Sequence, residues 1–391
     1  MTLTTKQLEG LKIALDRYLA GEKFTVISGY AGTGKSTLVR FIIEALDADE
    51  DDVVYTAFTG KAAEVLHKKG NKNAMTLHKL LYDSFPKGDG TFYKKPKAMI
   101  DYKFVVVDEV SMASKDLIDL LFSYKNIYVI CLGDPFQLPT IDPNSNNHLL
   151  DHPHVFLDEI MRQAAESEII RISMDIRAMK PLVEMHGNEV QVFNKADLNT
   201  GMLMWADQVL VGTNATRIAV NNQMRSLLGR GNMPEDGDKV ICLRNYWDTF
   251  SNEGGALTNG TIGYLHDTVN SPKYLPYWCG GGSIPAINTQ FISDSNEDFG
   301  RLSMDKSMIL TGEKGIDSKL AFKLSKNEKT KGLVPMEFTF GYAITCHKSQ
   351  GSEWPKVLVI EEKFPFNIVE HARWLYTAVT RASDKVVIVK K

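Results

Sequence analysis

The stretch "GYAGTGKS" at residues 29–36 constrains this chain more than any other. It fits G-x-x-x-x-G-K-[ST], follows the apolar run "FTVISG" (24–29) and leads into the helical pattern "STLVRFIIEAL" (36–46). A glycine-rich turn between strand and helix is where backbone N–H groups converge on a phosphate chain, helped by the positive end of the helix dipole. Gly29, Gly32 and Gly34 allow that approach, Lys35 is placed for the β- and γ-phosphates, and the Ser36 hydroxyl for Mg2+. The same alternation continues in "DVVYTAF" (52–58), "KAAEVLHKKG" (61–70), "KFVVVDE" (103–109) and "NIYVICLGD" (126–134), which predicts βαβ units on a parallel sheet.

"VVVDEV" (105–110) supplies the expected counterpart, three β-branched residues ending in adjacent carboxylates where α/β sheets bind ligands. Asp108 is placed to hold Mg2+, and Glu109 to orient and deprotonate an attacking water. These residue types in this order predict hydrolysis of a nucleoside triphosphate. "NKAD" (194–197) matches the guanine-reading N-K-x-D, so a GTPase is an alternative. Against it, the carboxylate strand continues to Ser111, where GTPases place a glycine that senses the γ-phosphate.

A chain of 391 residues with 43% apolar content is expected to form two or three domains. A second alternating region starts near Leu157: "EIIRISMDIRAM" (168–179) sets Ile169, Ile172, Ile176 and Met179 on one helical face, and "QVLVGT" (208–213) reads as a strand before a helix from Asn214 to Leu228. The style returns in "KVLVIEE", "NIVEHARWLYTAVTRA" and "KVVIVK" (356–390). Between these, 262–336 carries "CGGGS" and short alternating runs such as "KLAFKLS", which predict a small β domain inserted into a second α/β domain. The acidic run "DADEDD" (47–52) reads as a solvated loop, and "SFPKGDGTFYKKPK" (84–97) as a short hairpin turning at G-D-G.

No run approaches the roughly 18 apolar residues of a membrane span, and the start lacks a secretory signal, so an intracellular, cytoplasmic protein without a membrane partner is expected. Cys131, Cys242, Cys279 and Cys346 lie far apart without a C-x-x-C pair, which disfavours a disulfide framework and a zinc finger. Net charge is −3, from 45 basic and 48 acidic residues, so a nucleic-acid partner would need a local groove.

Eight stretches, "GYAGTGKST", "TAFTGKAAEVL", "TLHKLL", "VVVDEVSM", "CLGDPFQLPTI", "LDEIMRQ", "YAITCHKSQGSEW" and "LYTAVTRA", occur in the order and spacing of superfamily 1 DNA helicases. The chain most resembles their 5′→3′ branch, the RecD-like and phage Dda-like members. The resemblance implies an α/β fold of two tandem RecA-like P-loop domains with a hairpin insertion and a small β-barrel, SH3-like, insertion. Residues 1–156 would be the first domain, interrupted by the 84–98 pin. Residues 157–261 and 337–391 would be the second, with 262–336 the inserted β domain. It further implies ATP and Mg2+ as cofactors, single-stranded and forked duplex DNA as partners, a single-strand-binding protein as a possible companion, and a monomer.

Residue by residue, the resemblance places Ala31, Thr33 and Thr37 with the phosphate-loop glycines, Gln7 at the adenine, and Gly351 and Glu353 toward the nucleotide. Gln137 in "GDPFQLP" would touch the γ-phosphate and link hydrolysis to DNA binding. Arg162 in "EIMRQ" and Arg381 in "AVTRA" would reach the nucleotide from the second domain, although an arginine on a helix is ordinarily a surface ion pair. Thr56, Thr59, Thr76, His78, Thr345 and His347 would contact the DNA backbone, and Phe92 or Tyr93 would be the wedge of the pin. Independently of the resemblance, Asn214, Arg217, Asn221 and Arg225 fall at helical spacing after a strand, a face that would line the strand-binding groove or else be a solvated helix face. Cys346 and His347 lack the third group of a nucleophilic site and the further ligands of a metal site, so Cys346 reads as packing. The expected activity is an ATP-dependent helicase moving 5′→3′ on single strands. The alternative is a DNA-stimulated ATPase that remodels DNA–protein complexes without unwinding.

Overall fold

Runs rich in valine, isoleucine and tyrosine form the first sheet in the computed structural model, which describes residues 3–86, 92–139, 146–161, 166–252, 254, 256–327, 329–365 and 367–391. Its strands are β1 (Phe24–Gly29), β2 (Val53–Ala57), β3 (Ala74–Thr76), β4 (Phe104–Val107), β5 (Tyr128–Gly133) and β6 (Val155–Leu157). They lie in the order β3-β2-β4-β5-β1-β6, and every pairing is parallel. Strands β1, β4 and β5 are buried along nearly their whole length, as expected of a sheet covered on both faces. Helix α1 (Thr5–Leu19) starts at a capping box made by Thr4 and Gln7, and α2 (Lys35–Ala45) sends Leu38, Val39 and Ile42 into the core beneath the sheet. Each such side chain contributes about 1.5–3 kcal/mol by burial, so α2 is fixed under the end of β1.

The second sheet has the same logic. Its strands β7 (Met185–His186), β8 (Val190–Asn194), β9 (Gln208–Val211), β10 (Trp354–Ile360) and β11 (Ala382–Lys390) run in the order β9-β10-β11-β8-β7, parallel except at β7. Helix α4 (Glu168–Arg177) buries Ile169, Ile172 and Ile176. Met179, expected on that face, lies beyond the helix at φ 55° and is 46% exposed, because the helix closes at Ala178. Helix α5 (Ile368–Val379) is capped by Asn367, whose side chain accepts the Val369 and Glu370 N–H groups, and buries every residue from Trp374 to Val379. A helix end buried on every face is one enclosed on all sides. Both sheets belong to one unit, Met1–Leu81, Lys97–Thr213 and Thr345–Lys391.

The other unit comprises Tyr82–Pro96 and Asn214–Ile344. Tyr82–Pro86 and Phe92–Pro96 pair antiparallel as the expected hairpin, with its turn outside the described residues. Strands Asp298–Asp305, Ala286–Ser293, Ile262–Asn270, Lys239–Cys242 and Phe338–Phe340 form an antiparallel sheet in that order, so the sheet draws strands from both sides of 262–336. Met336 joins its two edges, accepting from Asp305 N–H at 2.8 Å and donating to Ser303 O at 2.7 Å, which curls the sheet on itself. "KLAFKLS" is not a strand but the helix Ser318–Ser325. Asp317 caps it through the Lys319 and Leu320 N–H groups, and Leu320 and Leu324 share a face against Ile284 and Ile316, leaving Phe322 60% exposed. The acidic run 47–52 is likewise partly ordered, with Glu50–Asp52 in a 3-10 turn paired to Lys72 and Lys103.

Candidate nucleotide site

Strand order brings the expected phosphate residues together. β1 lies beside β5, with Ser28 opposite Gly133, and β5 beside β4, with Val107 opposite Cys131, so the turns after all three strands open on one edge. The turn after β1 carries Gly29–Ser36 into α2. Gly34 has φ 76°, and a Cβ there would sit 2.4 Å from Gln7 Nε2, so only glycine fits. Gln7 is fully buried beneath this turn, donating to the Thr33 carbonyl at 3.2 Å and the Gly34 carbonyl at 3.4 Å while its Oε1 accepts Thr4 N–H at 3.0 Å. Thr33 is buried with its hydroxyl on Tyr30 O at 2.8 Å, whereas Ser36 is exposed at the helix start. Lys35 Nζ donates to the Gly29 and Tyr30 carbonyls at 2.7 and 2.9 Å, which lays the ammonium across the turn.

Asp108 and Glu109 follow β4. Asp108 N–H donates to Thr56 O at 2.8 Å, and its Oδ1 accepts Glu109 N–H at 2.9 Å, which fixes one carboxylate face. Glu109 has φ 49°, a strained conformation for a side-chain-bearing residue and one that recurs at functional sites. Burial pushes both carboxyls above the ordinary range; Lys35 opposes the shift most at Asp108, and Arg381 most at Glu109. Arg381, 6% exposed, donates through Nη1 to Glu109 Oε1 at 3.3 Å and through Nε to the Thr377 carbonyl at 3.1 Å. Glu109 Oε2 is buried and has no hydrogen-bond partner among the described residues. A cavity of about 140 Å³ here is lined by Lys69, Asp108, Glu109, Gly351, Glu353 and Arg381 among others. Gly351 borders it at φ 75°, where a Cβ would lie 2.9 Å from Thr59 Oγ1.

A second set of contacts was not foreseen from the sequence. Tyr376 Oη, on α5, donates to Asp134 Oδ2 at 2.6 Å and accepts Ala31 N–H at 2.8 Å. Leu138 N–H donates to Thr377 Oγ1 at 3.0 Å, and Gln350 Nε2 donates to Leu138 O at 2.6 Å. Gln137 therefore sits in a loop whose two ends are bonded to elements of the second sheet. Its own N–H donates to Asp134 O at 3.3 Å. Tyr376 lies within "LYTAVTRA", and a buried tyrosine hydroxyl needs a partner, but the sequence does not say which.

Residues 3–193 match the AAA domain family, and residues 340–389 the UvrD-like helicase C-terminal domain. The two matches carry, in order, the phosphate turn and carboxylates of the first sheet and the Gln350, Tyr376 and Arg381 elements of the second. The chain belongs to the superfamily 1 helicases. It is 27% identical over 373 residues to the ATP-dependent RecD2 DNA helicase of Deinococcus radiodurans, covering 94% of this chain and 47% of that protein. It is 29% identical over 202 residues to the ATP-dependent DNA helicase dda of Enterobacteria phage T4, covering 47% of this chain and 46% of that one. The chain thus spans about half the length of these relatives. The Pif1 helicase from Bacteroides, solved with ADP-AlF3 and ssDNA, shares the fold at 17% identity and a TM-score of 0.53, over 99% of this chain and 92% of that one. The two parallel sheets are accordingly the tandem RecA-like domains of that fold.

In this superfamily 1 helicase the expected strand-contacting residues separate into groups. Thr56 is fully buried and its hydroxyl donates to Val106 O at 2.9 Å, so it is a sheet residue without a surface to offer DNA. Thr76 is 7% exposed and caps a short helix through Lys79 N–H at 3.2 Å. Thr59 caps α3 (Gly60–Lys68) through Ala62 N–H, and half-buried His78 lies edge-on to Phe58. Thr345 and His347 are half-buried, and burial lowers the His347 pKa, so its imidazole is biased toward neutral. Cys346 is fully buried against Trp374 O at 3.4 Å, its thiol pushed up to about 12 by burial, which fits packing rather than reactivity.

Asn214 is exposed at the start of the helix Asn214–Leu227, but its neighbours on that face are not free. Arg217 donates to Thr339 Oγ1, Asn221 exchanges two hydrogen bonds with the Ala343 backbone, and Arg225 forms a fork onto Asp238 at 3.0 and 3.1 Å. This face is neither groove nor solvated surface; it is internal to its unit. "NKAD" is explained by a capping box between Asn194 and Asp197. Arg162 lies outside the described residues, as do the side chains of Phe92 and Tyr93.

Proposed function

We propose that this chain is an ATP-dependent DNA helicase that moves 5′→3′ along single-stranded DNA and separates forked duplexes. The observation that supports it most is the Arg381–Glu109 pair, in which a residue of the second sheet meets the carboxylate expected to activate water on the first. A nucleotide site completed by a second domain makes turnover depend on how the two domains meet. Lys35 would neutralise phosphate charge, the amides of residues 31–36 would orient the phosphates, and Arg381 would stabilise charge in the transition state. The residues also suit Mg2+: Ser36 and Asp108 would hold it, and it would screen the triphosphate. Glu109 Oε2, which has no hydrogen-bond partner among the described residues, would accept from water.

Thr59, His78, Thr345 and His347 remain the candidates for backbone contact, with Asn214 from the other unit and the Phe92–Pro96 strand as the pin. Residues 1–156 outside the 84–98 hairpin would form the first motor domain and 157–261 with 337–391 the second, except that the strands Lys239–Cys242 and Phe338–Phe340 share the antiparallel sheet of 262–336 and would go with it into the accessory domain. A monomer would suffice for stepping, a single-strand-binding protein would be a natural companion, and the setting would be the cytoplasm of a bacterium or a phage-infected cell.

The test is ATP turnover with and without oligo(dT), followed by strand separation on a forked duplex. Turnover should rise sharply with the single strand. Turnover indifferent to any polynucleotide would end the motor reading; stimulation without strand separation would leave a translocase.

A further inference from the structure

Gln137 is the residue expected to sense the γ-phosphate, yet its loop is not held by its own sheet alone. β5 ends at Gly133, and Asp134–Leu138 is gripped at its start by Tyr376 Oη on Asp134 Oδ2 and at its end by Thr377 and Gln350 on the Leu138 backbone. The gripping residues are buried, Tyr376 at 1%, Thr377 at 0% and Gln350 at 6% exposure. Inside the loop Phe136 N–H donates to Asp134 Oδ1 at 2.9 Å, and its ring meets Tyr376 edge-on at 5.4 Å, so the loop and α5 form one packed body.

We propose that Tyr376 and Gln350 are positioning residues that make the placement of Gln137 depend on both the phosphate turn and the strand-contacting loop. This deepens the helicase reading and rests on it. Tyr376 Oη has a single proton, committed to Asp134, and its lone pairs receive Ala31 N–H. Ala31 belongs to the turn whose amides cradle phosphate. When Ala31 N–H turns to a phosphate oxygen, Tyr376 is left with Asp134 alone, and the grip on the start of the Gln137 loop changes. At the other end, Gln350 lies three residues after His347 and five after Thr345, so a shift of that stretch reaches Leu138 through one buried hydrogen bond. Gln137 is thereby held between two handles, one answering to nucleotide and one to the DNA strand.

The test uses the full chain and steady-state ATP turnover with and without oligo(dT). Tyr376→Phe removes the hydroxyl and keeps the ring; Gln350→Glu keeps the shape but sets carboxylate oxygens against the Leu138 carbonyl, and Gln350→Met replaces it should the glutamate variant fold poorly. In each, DNA-stimulated kcat should fall by about tenfold or more while the KM for ATP stays within about threefold, the signature of a lost arrangement rather than lost binding. The double variant should be no worse than about twofold below the poorer single, because both act on one loop. Unchanged DNA-stimulated kcat in both singles, or losses that multiply independently, would overturn the proposal. Wild-type protein without DNA stimulation would instead defeat the helicase reading itself, a result distinct from variants losing a stimulation the wild type has.

Discussion

Arg381→Ala should separate nucleotide binding from nucleotide hydrolysis. Arg381 is 6% exposed, and its guanidinium is held by the Thr377 and Ser352 carbonyls and by Glu109 Oε1 at 3.3 Å. An arginine that meets transition-state charge accounts for roughly 10³- to 10⁵-fold in rate, or about 4–7 kcal/mol of barrier. The pair also governs pH. Burial raises the Glu109 carboxyl and Arg381 opposes that rise, so removing the arginine raises it further. If Glu109 acts as the carboxylate, the acid limb of kcat/KM moves to higher pH in Arg381→Ala. Stability follows the same sign: a carboxyl whose folded pKa lies above its unfolded value loses folding stability as pH rises through the folded pKa. The stability deficit of the variant should therefore be smallest in acid and grow as pH rises through that range. Losing one partner of a buried pair costs about 3–5 kcal/mol when the other stays charged, and the 20% exposure of the Glu109 side chain points to the lower end or below. Single-turnover hydrolysis with saturating oligo(dT), a fluorescent-nucleotide binding curve and thermal melts across pH measure all three. Hydrolysis within about threefold of wild type, or an acid limb that stays in place, would refute the reasoning.

Lys35→Ala should abolish measurable hydrolysis, since its ammonium is the charge laid across the phosphate turn; residual turnover in a malachite-green phosphate assay would argue against that role. Asp108→Asn should raise the melting temperature of the nucleotide-free protein at neutral pH, because burial disfavours its carboxylate. That gain should fade as pH falls through the raised folded pKa toward the ordinary carboxylate value, and the extra stabilisation by Mg2+ with ATP should be lost. Phe92→Ala and Tyr93→Ala should slow separation of a forked duplex while leaving DNA-stimulated turnover intact; equal unwinding by both would remove the case for an aromatic wedge in the hairpin.

The elements nearest the nucleotide were legible because local pattern and tertiary role coincide. β1, β4 and β5 are short β-branched runs ending at glycine or carboxylate, and nothing competes with that reading. "KLAFKLS" misled because Leu320, Phe322 and Leu324 alternate as in a strand; the decisive signal was Asp317 as an N-cap, with Leu320 and Leu324 one helical turn apart. Arg217, Asn221 and Arg225 read as an outward face because buried polar residues can be recognised only from their partners, and Asn221 finds its partner 122 residues away. The Gln137 loop is the same problem at longer range. Gln350 and Tyr376 reach it across 212 and 242 residues, so their motifs could be read from the sequence but the contact could not. Thr56 shows the converse, a motif position whose hydroxyl the sheet consumes.

Tail polarity is the most direct test of the proposed motor. Duplexes bearing a 5′ or a 3′ single-stranded tail, mixed with the full chain, ATP and Mg2+, should be unwound only when the tail is 5′. Equal unwinding from both tails, preference for the 3′ tail, or no ATP-dependent strand separation would contradict it.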